Sequence, residues 1–330
     1  MATSRLAFAA DTGLLSLPDV GAIGLFGATG DSDLSFVPKD RAQVIQRNYP
    51  DHAALARRGF DCTVTAKGPF AAAIVTLPRA KAYAQSLVAE AAALTQGGTV
   101  YVDGAKTDGV DTMLKALKKQ GLDVTQVSKN HGRVIAFTAD DRLSGWIDTE
   151  PRKNKDGFFT LPGVFSADGA DPASVALAAA LPAKLGGRVA DLGAGWGDLA
   201  RTILNHDGVT GVTLVEADHA ALDCAKLNVT DDRASFDWAD ATQWENKEYF
   251  DSVVMNPPFH TGRKGDPSLG QAFIDTAARV LKPTGRLYLV ANRHLPYEQT
   301  LEARFKNVAE IAGDRSFKIV EASHPTRQRR

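Results

Sequence analysis

Cysteine is scarce in this sequence. Cys62 and Cys224 are the only two, far apart and without Cys-x-x-Cys spacing, which excludes a disulfide framework and a cysteine zinc site. Both read as small core residues in a reducing compartment. Long apolar runs are missing as well. The longest, Pro172 to Ala183, falls well short of the roughly 20 residues that a membrane helix needs, and Pro182 interrupts it. Near the start, a single Arg and the run Leu6 to Ala10, cut by Asp11, are too short for a secretion signal. The expectation is a cytoplasmic protein with no membrane association. An excess of one charge sign is also lacking. The formal net charge is −1, split as 16 Lys+Arg against 16 Asp+Glu over residues 1–150 and 22 against 23 over residues 151–330. Bulk electrostatics therefore gives no support for nucleic-acid binding. Any such contact must come from local patches: Arg152-Lys153-Asn154-Lys155, Arg263-Lys264, Lys118-Lys119 or the tail Arg327-Gln328-Arg329-Arg330. Each also reads as an ordinary solvated run. No His/Cys/carboxylate cluster has metal spacing, so no metal is expected.

What remains is the composition of a soluble globular protein, 44% hydrophobic and 23% charged, at a length that suits two domains. The polar stretch Pro151 to Gly157 places the boundary near residue 150. Beyond it, strand-like and helix-like segments alternate, the signature of an α/β sheet that is largely parallel. Strands are predicted at Arg188–Leu192, Val212–Val215, Ser235–Trp238, Phe250–Met255 and Arg286–Val290. Helices are predicted from Asp198, over Ala220–Leu227 and over Gln271–Leu281. Val308–Ile311 and Phe317–Val320 read as a closing antiparallel hairpin. Before residue 150 the pattern is vaguer, with strands at Ala22–Phe26, Thr63–Thr65, Ala71–Thr76 and Thr99–Val102 and helices at Lys81–Leu94 and Thr112–Lys119. The segment Phe70 to Arg79 aligns without gaps on Phe250 to Phe259, and in both copies a helix and a Gly-led strand follow. A duplicated α/β domain is the reading.

Two constellations carry chemistry. Asp191-Leu192-Gly193-Ala194-Gly195-Trp196-Gly197 leaves a strand and enters a helix, where glycines let backbone approach a ligand and the helix start offers N–H groups. Its spacing is neither the dinucleotide fingerprint nor a phosphate loop. That leaves a cradle for the methionine part of S-adenosylmethionine. Glu216, ending the next strand, can accept from both ribose hydroxyls. Asp240, after the third strand, is either an acceptor for the adenine amino group or a surface acid. The second constellation is Asn256-Pro257-Pro258-Phe259 after the fourth strand. Prolines remove donors and leave carbonyls to accept. The Asn256 carboxamide oxygen and the Pro257 carbonyl can then hold both hydrogens of a planar amine, while Phe259 offers a face on which a base stacks.

Together these residues resemble class I S-adenosylmethionine-dependent methyltransferases, and among them the amino-group methylases. Leu161-Pro162-Gly163-Val164-Phe165-Ser166, Asn256 to His260, and Val290 to Tyr297 look like the bacterial ribosomal RNA guanine-N2 methyltransferases. The likeness is strong over residues 158–324 and faint over 1–150. The Leu161–Ser166 segment is similar to the small-subunit branch and carries more weight than the Ala291–Leu295 stretch, which is closer to the large-subunit branch. The resemblance implies tandem Rossmann-like methyltransferase domains. Residues 1–150 would be a degenerate copy that positions RNA or is purely structural, and 151–330 the catalytic copy. It implies methyl transfer to N2 of a guanine in 16S ribosomal RNA, in the assembled small subunit, by a monomer. Phe165 and Asp168 become further cofactor-site candidates, because the family's corresponding segment lies beside the cofactor. Trp196 and Pro172 depart from the family pattern, and Trp196 predicts a pocket of different shape. His260 and His294 invite assignment as bases but read better as structural. Alternatives left open are 23S RNA, a protein glutamine, adenine N6, and a non-catalytic RNA-binding role.

Overall fold

The computed structural model describes residues 4–258, 260–261, 264–265 and 267–326, with 260–261 and 264–265 described by their backbone only. The chain forms two compact units, Met1–Glu150 and Pro151–Arg330.

In the first unit a seven-stranded sheet runs in the order β3-β2-β1-β4-β5-β7-β6. Its strands are β1 (Ile23–Phe26), β2 (Ala42–Ile45), β3 (Asp61–Thr63), β4 (Ala72–Thr76), β5 (Thr99–Ala105), β6 (Thr125–Lys129) and β7 (Gly132–Thr138). The first five are parallel, and β7 enters antiparallel beside β5. Successive side chains on a strand point to opposite faces, and the cores divide accordingly. Phe26, Ala73 and Val75 pack with helices α3 (Lys81–Ala93) and α4 (Val110–Lys119). Leu25, Ala72 and Ile74 pack with α1 (Arg5–Asp11) and α2 (Tyr49–Arg57) on the other face.

The second unit opens with a two-stranded ladder, β8 (Arg152–Lys153) with β9 (Phe159–Thr160). Its main sheet comprises β10 (Arg188–Leu192), β11 (Gly211–Glu216), β12 (Ala234–Trp238), β13 (Phe250–Met255), β16 (Leu281–Asn292), β17 (Phe305–Gly313) and β18 (Phe317–Pro325), with the minor strands β14 (His260–Thr261) and β15 (Lys264–Gly265) paired apart from it. The order β12-β11-β10-β13-β16-β18-β17 repeats that of the first unit. One face packs Leu192, Val253, Met255 and Leu289 against α8 (Pro267–Val280) and α9 (Glu298–Arg304). The opposite face packs Val189, Val254 and Tyr288 against α5 (Pro172–Ala180), α6 (Asp198–Leu204) and α7 (His219–Asn228).

The α/β class, the repeated Rossmann-like architecture and the antiparallel closing hairpin agree with the sequence reading. Several bounds differ. The strand expected at Thr63–Thr65 lies at Asp61–Thr63, and β16 starts at Leu281, where its pairing with β13 shifts register before Ser252 meets Arg286. Lys282–Gly285 fall within that shift, between the end of α8 at Val280 and the paired run from Arg286, where the sequence places the helix stop.

Candidate functional site

In a sheet of this kind, ligands sit outside the carboxyl ends of the strands where the connection order reverses. Here that point is β10, flanked by β11 and β13. The register puts Leu192 beside Val215 and Met255, and Glu216 beside Trp238. The segments that follow these strands, carrying Gly193, Glu216, Asp240 and Asn256, thus leave from one edge.

The glycine loop needs its glycines. Gly193, Gly195 and Gly197 have φ of 75°, 55° and 93°, the left-handed region that a Cβ penalises. A Cβ on Gly195 would meet nothing within 4 Å, so this part of the loop faces open space. The N–H groups of Gly193 and Ala194 donate to the Val215 carbonyl at 2.8 and 3.1 Å. Glu216 braces the loop further on: its Oε2 accepts from Gly195 N–H at 2.8 Å and its Oε1 from Asp218 N–H at 2.8 Å. Burial pushes the Glu216 carboxyl above its usual range, and these backbone N–H bonds pull it back.

Asp191 is wholly buried, and neither carboxyl oxygen has a hydrogen-bond partner of good geometry, the nearby Ala200 N–H giving it only minor relief. Burial first, then the charges of Glu216 and Asp198, push it up to about 8. An orphaned acid beneath a glycine loop that opens onto empty space is what a ligand with donor groups would complete. The residues present therefore fit the amino-acid end of S-adenosylmethionine.

Asn256 follows β13 directly. Its Nδ2 donates to Asp171 Oδ2 at 2.9 Å and to Ser174 Oγ at 3.0 Å. Asp171 also caps α5, accepting the Ser174 N–H at 3.0 Å, with Pro172 in the first helical turn. One pocket is lined by Phe165, Ser166, Asp171, Ser174, the Gly193–Trp196 loop, Asp198, Leu199 and Asn256. Phe165 stands 62% exposed at this pocket, as an apolar ring awaiting a partner would.

The structure thus brings together Phe165, Gly193, Gly195 and Asn256, with Asp191 and Glu216 beneath and beside the loop. Gly197 begins α6 as its N-cap residue, and Pro257 is buried. Asp168 is exposed and does not line the pocket; the carboxylates that do are Asp171 and Asp198. Asp240 turns back on its own loop, its Oδ1 accepting from Thr242 N–H at 2.9 Å and Thr242 Oγ1 at 2.6 Å. Phe259 lies outside the described residues, as do Arg263 and the basic tail. The side chain of His260 likewise lies outside the description, and His294 is exposed in the turn after β16.

Trp196 packs into a satellite core. Its ring is 3% exposed among Val164, Ala221 and Cys224, 4.9 Å from the Phe158 ring. Its Nε1–H donates to the Phe165 carbonyl at 3.1 Å, so the indole braces the Leu161–Ser166 segment against the glycine loop. Among the described residues no group of acids, histidines and cysteines is arranged to hold a metal, and no helix is long and apolar enough to cross a membrane.

A sheet of this order, with a glycine loop after its first strand, an acid after its second and Asn-Pro-Pro after its fourth, defines a class I methyltransferase fold. The family model described as methyltransferase small domain matches residues 155–321. The ribosomal RNA small subunit methyltransferase C of Hahella chejuensis is 32% identical over 242 residues, 70% of this chain and 71% of that protein. Its counterpart from Idiomarina loihiensis is 26% identical over 309 residues, 89% of this chain and 91% of the relative. Among solved structures, the T. thermophilus 16S rRNA N2 methyltransferase in complex with AdoMet and guanosine superposes with a TM-score of 0.78 at 26% identity, covering 93% of this chain and 89% of that one. The chain belongs to the ribosomal RNA small subunit methyltransferase C family, within the methyltransferase small domain.

Proposed function

We propose that this protein transfers the methyl group of S-adenosylmethionine to the exocyclic N2 of a guanine in 16S ribosomal RNA. The substrate is the assembled small subunit, and the enzyme works as a cytoplasmic monomer. The observation that carries the reading is Asn256. Both hydrogens of its carboxamide nitrogen are taken by Asp171 and Ser174, so the group can offer a ligand only its oxygen. An acceptor at that place, in the pocket of the glycine loop, suits an amine and not a carbonyl.

The Gly193–Gly197 loop, Asp191 and Glu216 would hold the cofactor, with Phe165 at the pocket and Asp240 towards the adenine. Bound there, S-adenosylmethionine supplies an electrophilic methyl group. Asn256 and the Pro257 carbonyl hold the two amine hydrogens and turn the nitrogen lone pair outward, while Phe259 stacks the base. No base residue is needed to ionise the amine before attack, and the proton that the nitrogen loses afterwards passes to solvent. The experiment is single-turnover transfer of labelled methyl to small subunits from a deletion strain, followed by mapping of the modified base. Asn256→Ala should lower the rate at least a hundredfold, about 2.7 kcal/mol of transition-state stabilisation, with cofactor affinity kept within a few-fold. Near-normal turnover would remove the mechanism, and a label on any group other than guanine N2 would remove the substrate assignment.

Residues 1–150 belong to the proposal as a copy without cofactor chemistry. Phe26 pairs with Ile45 and Val75 as Leu192 pairs with Val215 and Met255. That register puts Leu25 in the place of Asp191, Gln46 in that of Glu216 and Thr76-Leu77-Pro78-Arg79 in that of Asn256 to Phe259. Gln46 spends its Oε1 on Asn48 N–H at 2.8 Å and its Nε2 on the Ala28 carbonyl at 2.7 Å. Arg79 is paired with Asp108 at 3.4 Å, whereas Lys81 is exposed. The copy serves to position RNA or as support. Calorimetry should find one cofactor per full-length chain, bound more than tenfold more weakly after Glu216→Ala. Arg79→Ala with Lys81→Ala should weaken subunit binding and flatten its salt dependence if the unit touches RNA.

A further inference from the structure

An asparagine that must present oxygen to an amine has a two-fold problem. Its carboxamide is nearly symmetric in shape, and rotation by half a turn replaces the acceptor with a donor. A donor facing an amine hydrogen repels what it should hold. Something must therefore make one orientation of Asn256 much lower in energy than the other.

The structure supplies that bias from α5. Asp171 Oδ2 lies 2.9 Å from the Asn256 amide nitrogen. An ionised carboxylate is acceptor-only, so it can face the NH2 end but repels the oxygen end. Ser174 Oγ takes the second hydrogen at 3.0 Å. The two acceptors are themselves fixed. The Asp171 oxygen is the cap of α5 through the Ser174 N–H at 3.0 Å, Pro172 stiffens the first turn, and Ser174 is 7% exposed. The helix start thus doubles as a clamp, and 85 residues of sequence separate its jaw from what it grips.

We propose that Asp171, seconded by Ser174, is the positioning residue that fixes the Asn256 carboxamide with its oxygen toward the substrate amine. In this role it acts through Asn256, although its side chain also lines the pocket. The inference rests on the reading of Asn256 given under the proposed function.

The clamp makes a specific prediction about swapping partners. Asn256→Asp alone sets two carboxylates in contact and should be slow. Adding Asp171→Asn restores one donor between the two side chains, at the expense of the Ser174 N–H bond to the same atom, and leaves an acceptor for the amine. The double variant should therefore methylate small subunits lacking the modification at least tenfold faster than Asn256→Asp, in single turnovers at saturating cofactor. Asp171→Ser keeps a good helix cap but cannot reach Asn256. It should cost at least tenfold in rate while S-adenosylmethionine affinity stays within threefold and thermal melting within a few degrees. A merely structural Asp171 predicts no gain from the swap. If the double variant is no faster than Asn256→Asp, or Asp171→Ser turns over normally, the clamp is refuted. Should Asp171→Ser fail to fold, the swap comparison decides alone. The parent reading fails on a different result, normal turnover of Asn256→Ala. An inactive Asn256→Ala with no swap gain removes only the clamp.

Discussion

Glu216→Gln changes one atom and no volume, which makes it a sharp test of how the cofactor loop is held. In the native protein both carboxylate oxygens accept backbone N–H groups, from Gly195 and Asp218, each at 2.8 Å. After the substitution one of these N–H groups faces a second N–H. A hydrogen bond to a charged group contributes about 1.5–3 kcal/mol, and the loss falls on the loop that must be preformed for binding. At about 1.4 kcal/mol per tenfold, S-adenosylmethionine affinity should drop by roughly 10- to 150-fold. The first unit shows what a glutamine at this register requires. Gln46 Nε2 faces a carbonyl, that of Ala28, instead of an N–H, so loop and side chain match each other. At residue 216 both side-chain oxygens face N–H groups instead. The assay is calorimetric titration of the full chain, with a thermal melt to confirm folding. A dissociation constant within threefold of the native one, in a folded variant, would refute the argument.

Other perturbations test separate parts of the site and core. Asp191, pushed up to about 8 chiefly by burial, keeps a proton in the folded chain that the unfolded chain releases near pH 4. Its contribution to stability is therefore fullest below about pH 4 and is lost, at about 1.4 kcal/mol per pH unit, as pH rises towards about 8. Asp191→Asn should flatten that slope in the cofactor-free protein, measured by denaturant melts at several pH values; parallel slopes for the two proteins would count against it. Gly270→Ala drives a Cβ into the hydroxyl of the fully buried Tyr297. Overpacking of about 1–3 kcal/mol should outweigh a helix-propensity gain of about 1 kcal/mol, so the melting temperature should fall, and a rise would show that the helix simply shifts. Trp196→Phe keeps an aromatic ring near Phe158 but loses the donor to the Phe165 carbonyl. A loss of about 1 kcal/mol should weaken cofactor binding several-fold with little change in global stability; unchanged affinity would free the Phe165 segment from any part in binding.

The site was legible where its chemistry is local. Asp191 to Gly197 and Asn256 to Pro258 are contiguous, and the glycines stand where the backbone has positive φ. The internal echo was legible too, because the register of β1 and β4 matches that of β10 and β13 without an offset. Asp171 was not legible in this way. The pattern Asp168-Gly169-x-Asp171 offers two acids, and only the helix start decides which one enters the pocket. A signal was present in Asp171-Pro172 opening an apolar run, since an acid before a proline at a first turn reads as an N-cap. What it caps is local; what else it grips is tertiary. The first unit's α1, β2 and α2 escaped for a simpler reason. They span 7, 4 and 9 residues, too short to build periodicity, and α2 starts on Tyr49-Pro50, which reads as a turn.

Comparing the two sheet edges separates what the fold needs from what the chemistry needs. Both units turn their first loop with a glycine of positive φ, Gly27 at 68° and Gly193 at 75°. In both, that glycine donates to the strand beside it, to the Ile45 carbonyl at 3.0 Å and to the Val215 carbonyl at 2.8 Å. The residue at the end of the second strand fixes the following loop in each, through an oxygen that accepts the N–H two residues on, in Gln46 and in Glu216 alike. These features recur because closing a strand–loop–helix turn demands them. The buried acid does not recur. Leu25 sits buried in the apolar core where Asp191 stands with no partner of good geometry for either oxygen. An unpartnered buried carboxyl is costly to keep, and the first unit forms the same strand order with a leucine at that position. Asp191 is therefore not required by the turn, and its cost falls in the one unit whose loop is followed by an oriented carboxamide. The asymmetry between two copies of one topology thus marks the ligand site more sharply than either copy would alone.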